Sequence, residues 1–218
     1  MHLLFSIRTV YPAVIAPSIL VVPILIALIK RKYWLGPQKI LFGYLLFSVF
    51  FNCIASITTF LHINNMPILH LYTILEFCLL CLLFRGIFEQ QAMQKLLIYL
   101  LISFSLFAIA YVLLTHSLFR YNTLPRFLSS ITIVGICLYF LYLNFANTEV
   151  NLSRFNFTTV IGLMLYFSSC SILFGLSQTL HNKASPGALI FVWNLHATIM
   201  AIMYLIFAWA FLRLKPNQ

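Results

Sequence analysis

The 218-residue chain is 63% hydrophobic and 7% charged, with a net charge of +10 at pH 7, far from the roughly 45–50% apolar and about 25% charged content of a soluble domain. This excludes a water-soluble enzyme or binding module. The Lys and Arg residues lie singly or in short clusters at the ends of apolar runs rather than along one stripe, which excludes nucleic acid as the partner. The expected fold is an all-α, polytopic, seven-transmembrane-helix bundle forming a single domain over residues 1–218.

Seven stretches each approach the roughly 20 residues needed to cross about 30 Å of hydrocarbon: Tyr11–Lys30, Ile40–Leu61, Met66–Ile87, Lys95–Leu114, Phe127–Asn144, Asn156–Leu180 and Ala188–Arg213. The first ends in Lys30-Arg31-Lys32, where a cleaved leader would need small residues, so it is expected to remain as helix 1. One set of alternate chain ends and loops carries Lys30, Arg31, Lys32, Lys39, Arg85, Lys95, Arg154, Arg213 and Lys215. The other carries only Arg8, Arg120, Arg126 and Lys183. The positive-inside rule then predicts an N-out, C-in, multi-pass protein of the cell membrane, expected to be a bacterial cytoplasmic membrane. Arg120 and Arg126 run against that bias.

Helix 2 carries a polar stripe of Ser48, Asn52, Ser56, Thr59 and His62. Helix 6 carries Ser168, Ser171, Gly175 and Gln178. Such stripes either line a cavity or join helices, but unpaired amides in hydrocarbon are costly, which singles out Asn52 and Gln178. In helix 3, Cys78 and Cys81 form a C-x-x-C on one face; with Cys53, Cys137 and Cys170 they make an odd, wholly intramembrane set, expected to pack as small apolar residues, with metal or redox chemistry at the C-x-x-C as the alternative. A shift of 119 residues lays Gly43 on Gly162, Leu61-His62 on Leu180-His181 and Pro67 on Pro186. That alignment leaves open a three-plus-one-plus-three arrangement of parallel repeats as well as chance similarity among membrane helices.

The chemically informative stretch is His70-Leu-Tyr72-Thr73-Ile-Leu-Glu76-Phe77. Counted from Pro67, Glu76 lies about 14 Å into the core, and counted from Pro186, His196 lies about 15 Å in, both near the midplane. An acid at that depth costs about 2.5–3.5 kcal/mol on insertion scales and therefore needs a partner or a proton inside the bundle. His70, Tyr72 and Thr73 share its side of the helix. Helix 7 offers Trp193, Asn194, His196 and Thr198, with Asn194 and Thr198 on one face and His196 turned away from Asn194. A Glu76–His196 pair would suit proton relay or pH sensing. The alternative for each is packing: a protonated Glu76 bonded to a neighbouring helix, and a neutral His196 bonded to a carbonyl. The expected site is a polar pocket among helices 2, 3, 6 and 7.

There is no Asp, no His-Glu-x-x-His and no second pair to join Cys78 and Cys81 in a metal site, and neither G-x-S-x-G nor a Walker loop occurs. No metal, cofactor or catalytic residue is expected. A lipid-acting enzyme with Glu76 and His196 as acid and base would lack a nucleophile.

The His70–Phe77 segment resembles one in small, uncharacterised bacterial seven-helix membrane proteins, whose layout is similar to the seven-helix sensor regions of histidine kinases. That resemblance implies sensing without an established ligand, and an output partner in the cytoplasm. Pro37-Gln38 resembles the dipeptide of PQ-loop transporters. The expected function is a receptor-like membrane sensor that binds a small ligand or proton in the midplane pocket and signals to a cytoplasmic protein. A small-solute transporter of two three-helix units with proton coupling at Glu76, and a non-catalytic assembly subunit, are the alternatives.

Overall fold

In the computed structural model, residues 10–146 and 153–215 are described. Among them, seven helices are long and apolar enough to cross a membrane: α1 (Tyr11–Ile29), α2 (Gly36–Phe60), α3 (Met66–Ile87), α4 (Gln91–Thr115), α5 (Thr123–Ala146), α6 (Arg154–Gly175) and α7 (Pro186–Leu212). The protein is an all-α, integral membrane protein. A short helical segment, Ser177–Lys183, follows α6.

The helix ends follow from local chemistry. Helix α1 is not one regular helix: Tyr11–Ile15 is π-helical, Ala16–Ser18 forms one turn, and a regular helix resumes at Val21–Ile29. Pro23 has no N–H to offer the Ile19 carbonyl, which instead accepts from Val22 N at 3.0 Å. Helix α2 begins four residues earlier than expected because Gln38 folds back, its Oε1 accepting from Leu35 N at 3.0 Å. Helices α2 and α4 both end with a histidine in the left-handed region, His62 (φ 55°) and His116 (φ 48°). The carbonyls of Thr58 and Val112 then accept from Ile63 N and Ser117 N, closing each C-terminus. Ser185 starts α7, its Oγ accepting from Ala188 N at 3.3 Å.

Helix α5 also begins four residues earlier than expected, at Thr123 rather than Phe127. Arg126, read as a loop residue against the positive-inside bias, stands inside the helix and is buried. With Arg126 removed from the loops, that side retains Arg8, Arg120 and Lys183 against the nine cations of the other, so the asymmetry sharpens. Arg8 lies outside the described residues.

The chain forms two compact units, residues 34–129 and residues 1–33 with 130–218. Helix α1 thus goes with α6 and α7 rather than with α2 and α3. In the first unit, α3 is the central element. Its Phe77, Leu80, Cys81, Leu83 and Phe84 are buried, and Phe77 meets Phe104 of α4 with ring centroids 4.2 Å apart. Close approach of α2 and α3 is possible because Gly86 has no side chain: a Cβ there would lie 3.6 Å from Pro37 and Ile40.

In the second unit, α7 packs on α1 through Ala16, Ala197 and Ala201, with Tyr11, Ile19 and Met200 around them. It packs on α6 at Gly162, where an added Cβ would fall 3.1 Å from both Ile206 Cγ2 and Phe207 Cε1. Both contacts use small residues, as expected where lipid is as apolar as Leu and association depends on close packing.

Candidate functional site: a buried ion pair at the centre of one unit

The carboxylate of Glu76 is satisfied from three helices. Arg126 of α5 donates from Nη1 to Oε2, forming a salt bridge whose side chains are 6% and 2% exposed for Arg126 and Glu76. Tyr72, one turn earlier on α3, donates to Oε1 at 2.7 Å, and Tyr44 of α2 donates to the same oxygen at 3.2 Å. The guanidinium carbon also lies 5.4 Å from the centre of the Tyr72 ring, where the face of the aromatic ring attracts a cation. Phe47 stacks on Tyr72 with ring centroids 5.4 Å apart, and Phe51 lies at the same distance. Glu76 is ten residues into α3, about 15 Å from its start. An isolated charge at that depth would be unsustainable, but the pair is neutral overall, and its oxygens are filled by tyrosine hydroxyls that cannot themselves carry a competing positive charge.

Arg126 reaches this depth because the segment from Ser117 to Arg126 descends along one face of α3. At the first turn, His70 Nε2 lies 3.1 Å from the Ser117 carbonyl oxygen and 3.2 Å from that of Arg120. A carbonyl only accepts, so this nitrogen carries the proton. One turn deeper, Asn122 Nδ2 donates to Thr73 Oγ1 at 3.0 Å, while Thr73 donates to the Leu69 carbonyl at 2.9 Å. The third turn brings Glu76 and Arg126 together. His70, Thr73 and Glu76, spaced by three, thus each hold one step of the incoming chain: His70 bonds two backbone carbonyls that would otherwise enter hydrocarbon unbonded, and Thr73 and Glu76 hold the side chains of Asn122 and Arg126.

The side chains expected on α7 lie in the other unit, where Thr198 and His196 have hydrogen-bond partners. Tyr11 of α1 donates to Thr198 Oγ1 at 2.8 Å, because Thr198 gives its own proton to the Asn194 carbonyl at 2.8 Å. The Oδ1 of Asn194 is buried and has no hydrogen-bond partner among the described residues. His196 faces α6: Nδ1 is 3.2 Å from Ser169 Oγ, Nε2 is 3.9 Å from Cys170 Sγ, and the ring stacks on Tyr166 at 5.3 Å. Trp193 meets the His196 ring edge-on at 6.2 Å.

Of the residues singled out from the sequence, the structure therefore gathers Glu76, Tyr72, Thr73 and His70 into one array. It places Asn194, Thr198, His196 and Trp193 in two smaller groups that take their partners from α1 and α6. Asn52 is half-buried on α2 and is not among the groups that bond Glu76. The side chain of Gln178 lies outside the described residues. Within its own unit Glu76 takes Arg126, Tyr44 and Tyr72 as partners.

Sequence reasoning missed Arg126 and Tyr44. Two signals were present: Thr123 and Pro125 mark a helix start just before Arg126, and Tyr44 extends the Ser48–Asn52 stripe by one turn. No family model, no curated protein and no solved structure matches this chain.

Proposed function

We propose that the protein is a receptor-like membrane sensor whose switch is the Glu76–Arg126 pair. The observation that carries this reading is a buried charge pair at membrane depth, joining α3 to the first turn of α5. An intramembrane acid with a named cationic partner suits a two-state device, because anything that competes for either charge frees the other. A proton or cationic group arriving at Glu76 would release Arg126, and an anionic group would capture Arg126 and release Glu76. In either case the descending segment held by His70, Thr73 and Glu76 loses its deepest anchor, and α5 is free to shift. The cation-rich ends of the helices, on the side assigned to the cytoplasm, would pass that shift to a partner protein.

The test is a distance measurement between spin labels at two exposed positions, Leu71 on α3 and Leu124 on α5, in a cysteine-free background. Glu76→Gln, which cannot ionise, is expected to shift or broaden the distribution relative to the unchanged pair. Cysteines placed along α3 are expected to be labelled from one membrane side only. An unchanged distance would sink the switch, and labelling from both sides would replace the sensor with a transporter coupled at Glu76.

A further inference from the structure

At the other end of α3, away from the ion pair, Arg85, Gln91, Gln94, Lys95, Ile98 and Tyr99 line a surface cavity of about 370 Å³, within the range of about 300–1,000 Å³ usual for small-molecule sites. The connection between α3 and α4 is three residues, Phe88 to Gln90, so Arg85 in the last turn of α3 faces the first turns of α4. On α4, Gln91, Gln94, Lys95 and Ile98 fall at helical spacing on one face, with Tyr99 one turn beyond Lys95. Gln94 is fixed by donating from Nε2 to the Phe88 carbonyl at 2.8 Å.

The lining is graded along the helix. Two cations and no acid sit at the mouth; the nearest carboxylate, Glu89, is exposed and is not part of the wall. Ile98 and Tyr99 lie about 10 and 12 Å further along α4 from Gln91, inside the hydrocarbon of a spanning helix. Gln90 provides no side-chain cap, so the first amides of α4 add their partial positive charge to the mouth. A free anion would use the cations alone and leave the apolar depth empty. An anion carrying acyl chains would use both.

We infer that this cavity binds one anionic phospholipid, with its phosphate held between Arg85 and Lys95, its headgroup hydroxyls at Gln91, and its chains along Ile98 and Tyr99. The site stands on membrane insertion and is independent of the switch proposed above.

The experiment is native mass spectrometry of the full chain in neutral detergent. Dioleoyl phosphatidylglycerol, dioleoyl phosphatidylcholine or inorganic phosphate is added, and lipid occupancy is compared with that of Arg85→Gln/Lys95→Gln. Saturable binding of one phosphatidylglycerol, at least tenfold weaker in the double variant and at least tenfold weaker for phosphatidylcholine, supports the site. Should the double variant not fold, Lys95→Gln alone, at an exposed position, is expected to lose at least threefold. Equal binding of the two lipids, or undiminished binding by the variants, overturns it. So does an equal loss from Arg31→Gln/Lys32→Gln, which would signify diffuse attraction to positive charge. Displacement of the lipid by millimolar inorganic phosphate would show that the cations serve a free anion instead.

Discussion

Glu76 and Arg126 are separated by 50 residues of chain and meet as a buried ion pair. Neither residue could occupy its position alone, since each would be an uncompensated charge inside the bundle. Their meeting depends on two upper steps, His70 on the Ser117 and Arg120 carbonyls and Asn122 on Thr73. The array is therefore expected to be coupled, with loss of one step loosening those beneath it.

His70→Ala removes a buried donor from two carbonyls. The expected cost is about 1–3 kcal/mol, the desolvation penalty of groups left unbonded. Amide exchange at residues 117–122 should accelerate while that of α2 stays near wild type. His70→Gln, which keeps a donor, should recover much of the loss. Hydrogen exchange read by mass spectrometry distinguishes the three proteins, and unchanged exchange at residues 117–122 in His70→Ala would refute the role assigned to this histidine.

Two glycines give a paired test of packing in the second unit. At Gly162 an added methyl meets Ile206 and Phe207 at 3.1 Å, whereas at Gly135 nothing lies within 4 Å. Gly162→Leu should destabilise by about 1–3 kcal/mol or more through overpacking. Gly135→Ala should be neutral or stabilise by up to about 1 kcal/mol, because alanine favours helix. Thermal unfolding in detergent ranks them, and equal effects would contradict the close α6–α7 contact.

His116 holds a left-handed backbone at the end of α4 and its residue is exposed. Glycine adopts that conformation without steric cost, so His116→Gly is expected to hold or raise stability by up to about 1 kcal/mol, and His116→Val to lower it. Unfolding curves of the two variants provide the check.

Much of this organisation is legible in the amino-acid order. Helix α3 runs from Met66 to Ile87 as its hydropathy implies, and Glu76 stands out because an acid in such a run must be compensated. The partner is harder to read. Residues 117–122, Ser-Leu-Phe-Arg-Tyr-Asn, look like an ordinary polar connection, and hydropathy places such a segment outside the bilayer. Only tertiary contact reveals that α3 draws it inward, so that α5 starts beside Thr73 and Arg126 arrives opposite Glu76. Asn194 and His196 are equally visible by their polarity, but what they bond is not: Tyr11 of α1 bonds Thr198, and Ser169 and Cys170 of α6 lie against His196. The break in α1 is legible in Pro17 and Pro23, though its hydropathy reads as one uninterrupted span.

Glu76 and Arg126 act as a pair, and a double-mutant cycle measures their coupling directly. Glu76→Gln, Arg126→Gln and the double variant would be unfolded in detergent under one set of conditions. Each single change leaves a buried charge uncompensated and is expected to cost about 3–5 kcal/mol. The double variant, free of both charges, should be more stable than either single one, giving a coupling of at least about 2 kcal/mol. Additive losses, with the double variant the least stable of all, would show that the two residues act independently and would contradict the account.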